Sequence, residues 1–108
     1  YAGGGFRVSG VAYSGSVLVW PERTENWAFH DFTALRGEDF APVYQHDPLP
    51  DVVLFGTGKT QQFLLPALRQ ELRAKGLVID VMDTGAACRT YNVLLAEGRR
   101  VVAALLPA

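Results

Sequence analysis

The chain has 108 residues, of which 49% are hydrophobic and 19% are charged. These values are typical of a single compact domain and argue against a disordered chain. The formal net charge is −1, from 10 basic and 11 acidic residues. Nucleic-acid binding, which needs a basic excess, is therefore not predicted. Membrane insertion is not predicted either, because every apolar run is far shorter than the roughly 20 residues of a membrane-spanning helix.

Two further features predict where the protein acts. The only cysteine, Cys88, cannot form an internal disulfide, which favours a reducing compartment. The first five residues, YAGGG, lack the basic and apolar regions of a signal peptide and are typical of a flexible tail. We therefore predict one soluble, cytoplasmic domain that spans residues 1–108, with residues 1–5 as its tail.

The first half of the chain is rich in strand-forming residues, which are followed by many structure breakers. The segment FRVSGVAYSGSVLVW, with a turn expected at residues 14–16, predicts an antiparallel strand pair that ends near Trp20. The stretch 22–50 holds most of the residues that interrupt regular secondary structure, including Pro42, Pro48 and Pro50. Within it, GEDFAPVYQ predicts one or two helical turns with Phe40, Val43 and Tyr44 on one side.

Strands and helices alternate in the second half. Three short apolar runs, VVLF, LVIDVM and VVAALL, are typical of strands buried on both faces, and PALRQELRAKG and DTGAACRTYNVLLAEG predict two helices between them. Pro66 suits the first turn of the first helix, and Gly76 and Gly98 suit the two helix ends. Asp83 or Thr84 suits the N-cap of the second helix. This order predicts an α/β fold whose central sheet is flanked by helices.

The segment LFGTGKT, residues 54–60, has the glycines and lysine of a phosphate-binding loop. The P-loop pattern G-x-x-x-x-G-K-[ST] would need a glycine where Val53 stands, and the dinucleotide pattern G-x-G-x-x-G would need one where Gln61 stands. Both patterns also begin a helix directly from the loop, whereas Pro66 places the helix start several residues later. The segment is therefore not predicted to be a P-loop.

Gly56 and Gly58 leave two interpretations open. They either permit a tight turn after a buried strand, or they belong to a small anion or ligand site at the carboxyl edge of the sheet. A right-handed crossover would bring the ends of VVLF and LVIDVM to the same edge, close to the start of the second helix. The residues of this candidate ligand edge are Gly56, Thr57, Gly58, Asp83, Thr84 and Arg89.

The two predicted helices differ on their outer sides. The first carries an ordinary charged face, whereas the second carries small apolar residues there, with Arg89 as the only charge between Thr84 and Ala96. Such residues on an outward face indicate that something covers them, either the rest of the same chain or a partner. The candidate partner surface consists of Ala86, Arg89, Val93 and Ala96. The core-facing stripe of the same helix consists of Ala87, Tyr91, Leu94 and Leu95.

Residues that could carry chemistry have simpler structural interpretations. Cys88 lies on the flank of the core-facing stripe, so a buried thiol is favoured over a nucleophile. His30 and His46 have no carboxylate or thiol at metal-ligand spacing, so no metal site is predicted. Asp83 is favoured as a helix cap, with a general base as the alternative. No cofactor is predicted.

The segment VMDTGAACRTYNVLLAEGRRVVAALLP, together with LFGTGKTQQFLLPALRQELRAKG before it, holds the most distinctive blocks. These blocks are Gly56-Thr57-Gly58, the turn Met82-Asp83-Thr84, residues 86–92 and the link Glu97-Gly98-Arg99. On these blocks the chain resembles a family of small domains of unknown function with the Mth-type fold. The similarity is strong over the second half and looser over the first, where YSGSVLV matches. The family includes archaeal and bacterial hypothetical proteins, a mitochondrial complex I assembly factor (the third of the alpha subcomplex) and an adipogenesis-associated Mth-domain protein.

The resemblance implies a three-layer α/β fold with a central mixed sheet and no established enzymatic activity. It also implies action through protein partners, because the mitochondrial relative binds partner proteins during complex I assembly. We therefore expect a scaffold or protein-interaction domain without catalysis of its own, which binds a partner protein or a second copy of itself. The alternative is an uncharacterised anion-binding or small-ligand-binding protein, or an enzyme, that uses the candidate ligand edge. For eukaryotic relatives the resemblance implies a mitochondrial location.

Overall fold

A computed structural model of the protein describes residues 5–8, 11–28 and 32–107. Within these ranges the chain forms seven strands, three α-helices and two 3₁₀ turns, at Phe32–Ala34 and Gly37–Phe40. The strands are β1 (Gly5–Val8), β2 (Val11–Ser14), β3 (Val17–Val19), β4 (Thr24–Asn26), β5 (Val52–Gly56), β6 (Ile79–Met82) and β7 (Val101–Leu105). The helices are α1 (Ala41–Tyr44), α2 (Pro66–Ala74) and α3 (Thr84–Ala96).

Five of the strands form one mixed sheet, in the order β4-β3-β7-β5-β6. β5 is parallel to both of its neighbours, β6 and β7, whereas β3 is antiparallel to both β7 and β4. The last strand of the chain therefore lies at the centre of the sheet. The predicted α/β fold with a central mixed sheet is confirmed.

The N-terminal antiparallel strand pair is formed by β1 and β2, which make a separate two-stranded sheet. This pair ends at Ser14 and not near Trp20, because the residues Val17–Val19 form a strand of the main sheet instead. All three residues of that strand are buried, as expected for a strand that lies inside a sheet covered on both faces. β4 has no counterpart among the predicted strands, because the sequence Thr24–Asn26 is polar and lacks the apolar pattern of a strand.

Two apolar clusters lie on opposite faces of the main sheet, because consecutive residues of a strand point to opposite sides. We call one face the aromatic face. Its buried residues include Trp20, Trp27, Phe40, Val43, Val53, Phe55, Leu72, Ile79 and Val102. We call the other the α3 face. Its buried residues are Val17, Val19, Val52, Leu54, Ala87, Tyr91, Val101, Ala103 and Leu105. Since α2 contributes to the first cluster and α3 to the second, the predicted three-layer arrangement is confirmed.

The ends of the two long helices lie where the sequence places them. Pro66 is the first residue of α2, and Gly76 follows that helix with a φ of +91°, which favours glycine. Asp83 is the N-cap of α3, and its Oδ1 accepts a hydrogen bond of 2.8 Å from the amide of Ala86. Gly98, with a φ of +77°, follows the end of α3.

Candidate functional site

The candidate ligand edge lies at the carboxyl ends of β5 and β6. The amide of Thr57 donates to the carbonyl oxygen of Met82 at 2.9 Å, so the ends of the two parallel strands are directly joined. Beyond them, Gly58 N–H donates to Thr84 Oγ1 at 2.8 Å, and Thr84 N–H donates to the carbonyl oxygen of Gly58 at 2.9 Å. The loop after β5 and the first turn of α3 are therefore held together by a reciprocal pair of hydrogen bonds.

The two hydroxyl groups at this edge are used within the protein. Thr84 is fully buried, and its Oγ1 donates to the carbonyl oxygen of Leu106 at 2.7 Å while it accepts from Gly58. Thr57 Oγ1 donates to the carbonyl oxygen of Thr60 at 2.8 Å and accepts from the amide of Gln62 at 3.1 Å. A ligand that bound these groups would have to replace hydrogen bonds that already close the edge.

The two glycines of the edge have geometric roles. Gly58 has a φ of +99°, in the region that favours glycine. A Cβ on Gly56 would lie 2.9 Å from the Cα of Thr84, closer than packed carbon atoms approach. The tight-turn interpretation therefore holds for Gly58 but is wrong for Gly56, which is the last residue of β5 and needs a small side chain because Thr84 packs against it. Ligand binding by the residues of the candidate ligand edge stays a prediction.

The candidate partner surface lies on the side of α3 that faces away from the sheet. Val93 is 57% exposed, Arg89 and Ala96 are also exposed, and Ala86 is half-buried. Leu95, expected in the core-facing stripe, is 39% exposed, because the last turn of the helix extends beyond the residues that bury Ala87 and Tyr91. The remaining members of the stripe follow the expectation, because Ala87 and Tyr91 are buried and Leu94 packs against them.

Cys88 and Tyr91 lie on the inner side of α3. Burial raises the pKa of the half-buried Cys88 thiol, which disfavours the thiolate that a nucleophile needs. Burial also raises the pKa of the Tyr91 hydroxyl, and the Glu22 carboxylate raises it further. Both groups therefore stay neutral at neutral pH, in keeping with the core interpretation of these positions.

The histidines show no catalytic pairing in the part of the chain that the structure describes. The ring of His46 stacks on Trp20, with ring centroids 4.3 Å apart, and its Nδ1 lies 2.9 Å from the carbonyl oxygen of Pro48. His30 lies outside the described residues. Among the described residues, no group of three or more His, Cys, Asp or Glu side chains is arranged to hold a metal ion.

Sequence analysis missed a second exposed region, beside β6. Arg69 Nη1 donates to the carbonyl oxygen of Ile79 at 2.7 Å. Two large apolar side chains in the segment before α2, Phe63 and Leu65, are 86% and 71% exposed. The apolar run Phe63-Leu64-Leu65 was the available signal, because it precedes Pro66 and belongs to neither the predicted strand nor the predicted helix.

Comparison with known proteins identifies relatives across almost the whole chain. A family model described as "Protein of unknown function (DUF498/DUF598)" matches residues 1–106. An uncharacterized protein of Rhodobacter capsulatus is 42% identical over 108 residues, which cover 99% of this chain and 81% of that protein. The solution structure of a Bordetella pertussis protein described as an Mth938-like domain superposes with a TM-score of 0.82 and 35% identity, and the match covers 99% of this chain and 82% of that one.

A eukaryotic relative carries a functional name. Mouse "NADH dehydrogenase [ubiquinone] 1 alpha subcomplex assembly factor 3" is 32% identical over 107 residues, or 99% of this chain. The match spans only 58% of the length of the mouse protein. None of the helices in the described ranges has the length and apolar character that a membrane crossing requires.

Proposed function

We propose that this chain, which belongs to the DUF498/DUF598 family of proteins of unknown function, is a protein-interaction domain that binds its partner through the outer face of α3 and has no catalysis of its own. The observation that carries the proposal is the 57% exposure of Val93 in the middle of that helix. Exposed Ala96 stands one turn after Val93 on the same side of the helix, and Arg89 stands one turn before it. A helix whose outer residues are this small lets another backbone approach closely.

Two further observations support a binding role over a chemical one. The relatives include proteins named as assembly factors, and assembly proceeds through contacts between proteins. The candidate ligand edge already uses its amides and hydroxyls in internal hydrogen bonds, as Gly58 and Thr84 illustrate. A role like that of an assembly factor, in the cytoplasm, is therefore the reading that we favour for this chain.

The replacement Val93→Glu tests the proposal, because it places a carboxylate at the centre of the apolar surface. We expect it to abolish association, either self-association measured by light scattering or capture of a partner measured by pull-down and mass spectrometry. The free energy of unfolding should change by less than about 0.5 kcal/mol, since the position is exposed.

The matched control is Gln70→Glu, which adds the same charge at an exposed position of α2, on the other face of the sheet. It should leave association unchanged. If Val93→Glu and Gln70→Glu behave alike, the outer face of α3 is not the contact surface. If Val93→Glu unfolds the protein, that face is covered by its own chain and the proposal fails.

A further inference from the structure

β6 is one of the two edge strands of the main sheet, and half of its backbone groups face away from β5. The amide of Val53 donates to the carbonyl oxygen of Val78 at 2.8 Å, and the two strands continue from there in parallel register. Backbone groups of consecutive residues in a strand point to opposite sides. The N–H and C=O groups of Ile79 and Val81 therefore point outward, where they can pair with another strand.

One of these outward groups already has a partner from α2. Arg69 Nη1 donates to the carbonyl oxygen of Ile79, a charge-assisted bond that occupies the acceptor a neighbouring strand would use. Because this carbonyl points away from β5, the contact also places the first turns of α2 beside the outer side of β6. The carbonyl and amide of Val81 lie further along the same edge.

The segment before α2 leads from the carboxyl end of β5 and β6 to the helix that contacts Ile79, and it carries exposed apolar side chains. Gln62 is held at the carboxyl end of β6, because its amide donates to Thr57 Oγ1 and the amide of Thr57 donates to Met82. The chain then runs towards Arg69, at the level of Ile79. Phe63 and Leu65, the most exposed large apolar residues in the described part of the chain, stand on this segment.

The charge on β6 decides between a second copy of this chain and a different partner. Asp80 is exposed between the two residues whose backbone points outward. An antiparallel pairing of two copies that used both Ile79 and Val81 would set Asp80 opposite Asp80, and like charges in opposite positions destabilise a sheet. A strand with lysine or arginine at this position would instead form a favourable cross-strand pair.

We propose that the outer edge of β6 receives an extended segment of a partner protein as an additional antiparallel strand, with a basic side chain opposite Asp80. This inference rests on the proposed protein-binding function and adds a second contact surface to it. The incoming strand bonds with the backbone of Val81, and its amide takes the carbonyl of Ile79 in place of Arg69. Its apolar side chains lie on the opposite face, towards Phe63 and Leu65.

The test uses the full chain and synthetic nine-residue peptides of alternating valine and lysine. In the antiparallel arrangement the lysines lie opposite Asp80 and the valines lie opposite Ile79 and Val81, so the valine amides donate to β6. We expect binding to suppress hydrogen exchange at the amides of Ile79 and Val81, measured by NMR. A peptide with N-methylated valines should not bind, whereas a peptide with N-methylated lysines should bind as the parent does.

Charge provides the second arm of the test. A peptide of alternating valine and glutamate should bind about two- to fivefold more weakly than the lysine peptide, from the size of a cross-strand charge pair. The variant Asp80→Lys should reverse this preference. The proposal is overturned if the amides of Ile79 and Val81 are not protected, if the valine-methylated peptide binds, or if both charged peptides bind equally. Failure of the α3 surface would leave these results intact, because the readout comes from two amides of β6.

Discussion

The aromatic face of the main sheet is covered by α2 and a largely irregular stretch of chain, whereas the α3 face is covered mainly by one regular helix. On the first, Phe55 contacts the rings of Trp27, Phe32 and Phe40, with centroids 5.4 to 5.9 Å apart. On the second, α3 packs through Ala87 and Tyr91 on aliphatic residues of the strands. Irregular chain can therefore cover a sheet when several of its buried side chains are large rings.

The irregular stretch is also fixed by specific polar contacts. Trp27 Nε1 donates to the carbonyl oxygen of Asp39 at 2.8 Å, and the carboxylate of Asp39 accepts from the amide of Arg36 at 2.8 Å. These bonds satisfy groups that a helix would satisfy along its own backbone. The aromatic face is therefore packed around a few large rings, whereas the α3 face is packed mainly by smaller aliphatic side chains.

The strongest test of this difference compares neighbours on β5 that point to opposite faces. Phe55→Ala should reduce the free energy of unfolding by about 3–5 kcal/mol, because it removes the ring at the centre of the aromatic cluster. Leu54→Ala should cost about 2–3 kcal/mol, since α3 and its small neighbours can settle towards the smaller residue. Both are fully or almost fully buried, and urea unfolding measures both. Equal losses, or a larger loss for Leu54→Ala, would contradict the proposed dependence of the aromatic face on its large rings.

The same contrast explains how much of the fold could be predicted from the sequence. The ends of α2 and α3 follow from local signals such as Pro66 and Asp83, which act on the residues beside them. The place of β3 could not be predicted in the same way, because it pairs Val17 with Leu105 at the other end of the chain. Pairing between distant segments depends on packing and not on any local motif.

The candidate ligand edge could likewise be predicted from the sequence only in part. The sequence predicted that Thr57 and the start of α3 lie at one sheet edge, because parallel strands joined by a crossover end on the same side. It could not show that Thr84 Oγ1 bonds to Leu106, since that contact depends on the central position of β7. The outer edge of β6 could not be predicted for the same reason, because only the strand order shows that β4 and β6 are the edge strands.

A second test concerns the hydrogen bonds that Thr84, in the first turn of α3, makes with the loop after β5 and with the end of β7. Thr84→Val keeps the shape of the side chain but leaves the amide of Gly58 and the carbonyl of Leu106 without their hydrogen-bond partner. The expected loss in the free energy of unfolding is about 1–3 kcal/mol, the cost of leaving buried polar groups unpaired. Thr84→Ser, the matched control, keeps the hydroxyl and should lose less. If the serine variant is the less stable of the two, the methyl group and not the hydrogen-bonded hydroxyl stabilises this junction.

The smallest expected effect is a fall in the free energy of unfolding at alkaline pH, caused by two groups on the α3 face. Burial raises the pKa of Cys88 and of Tyr91 above the ordinary values of 9.0 and 10.0, so the unfolded chain releases these protons first as pH rises. Stability that is fully present at neutral pH should therefore fall as pH increases through 9 to 10 and beyond. The double variant Cys88→Ala with Tyr91→Phe should show a shallower fall, measured as the urea midpoint across this range. Lysine deprotonation affects both proteins alike, so it cancels in the comparison. Parallel curves for the two proteins would mean that burial against the sheet does not hold these two groups neutral.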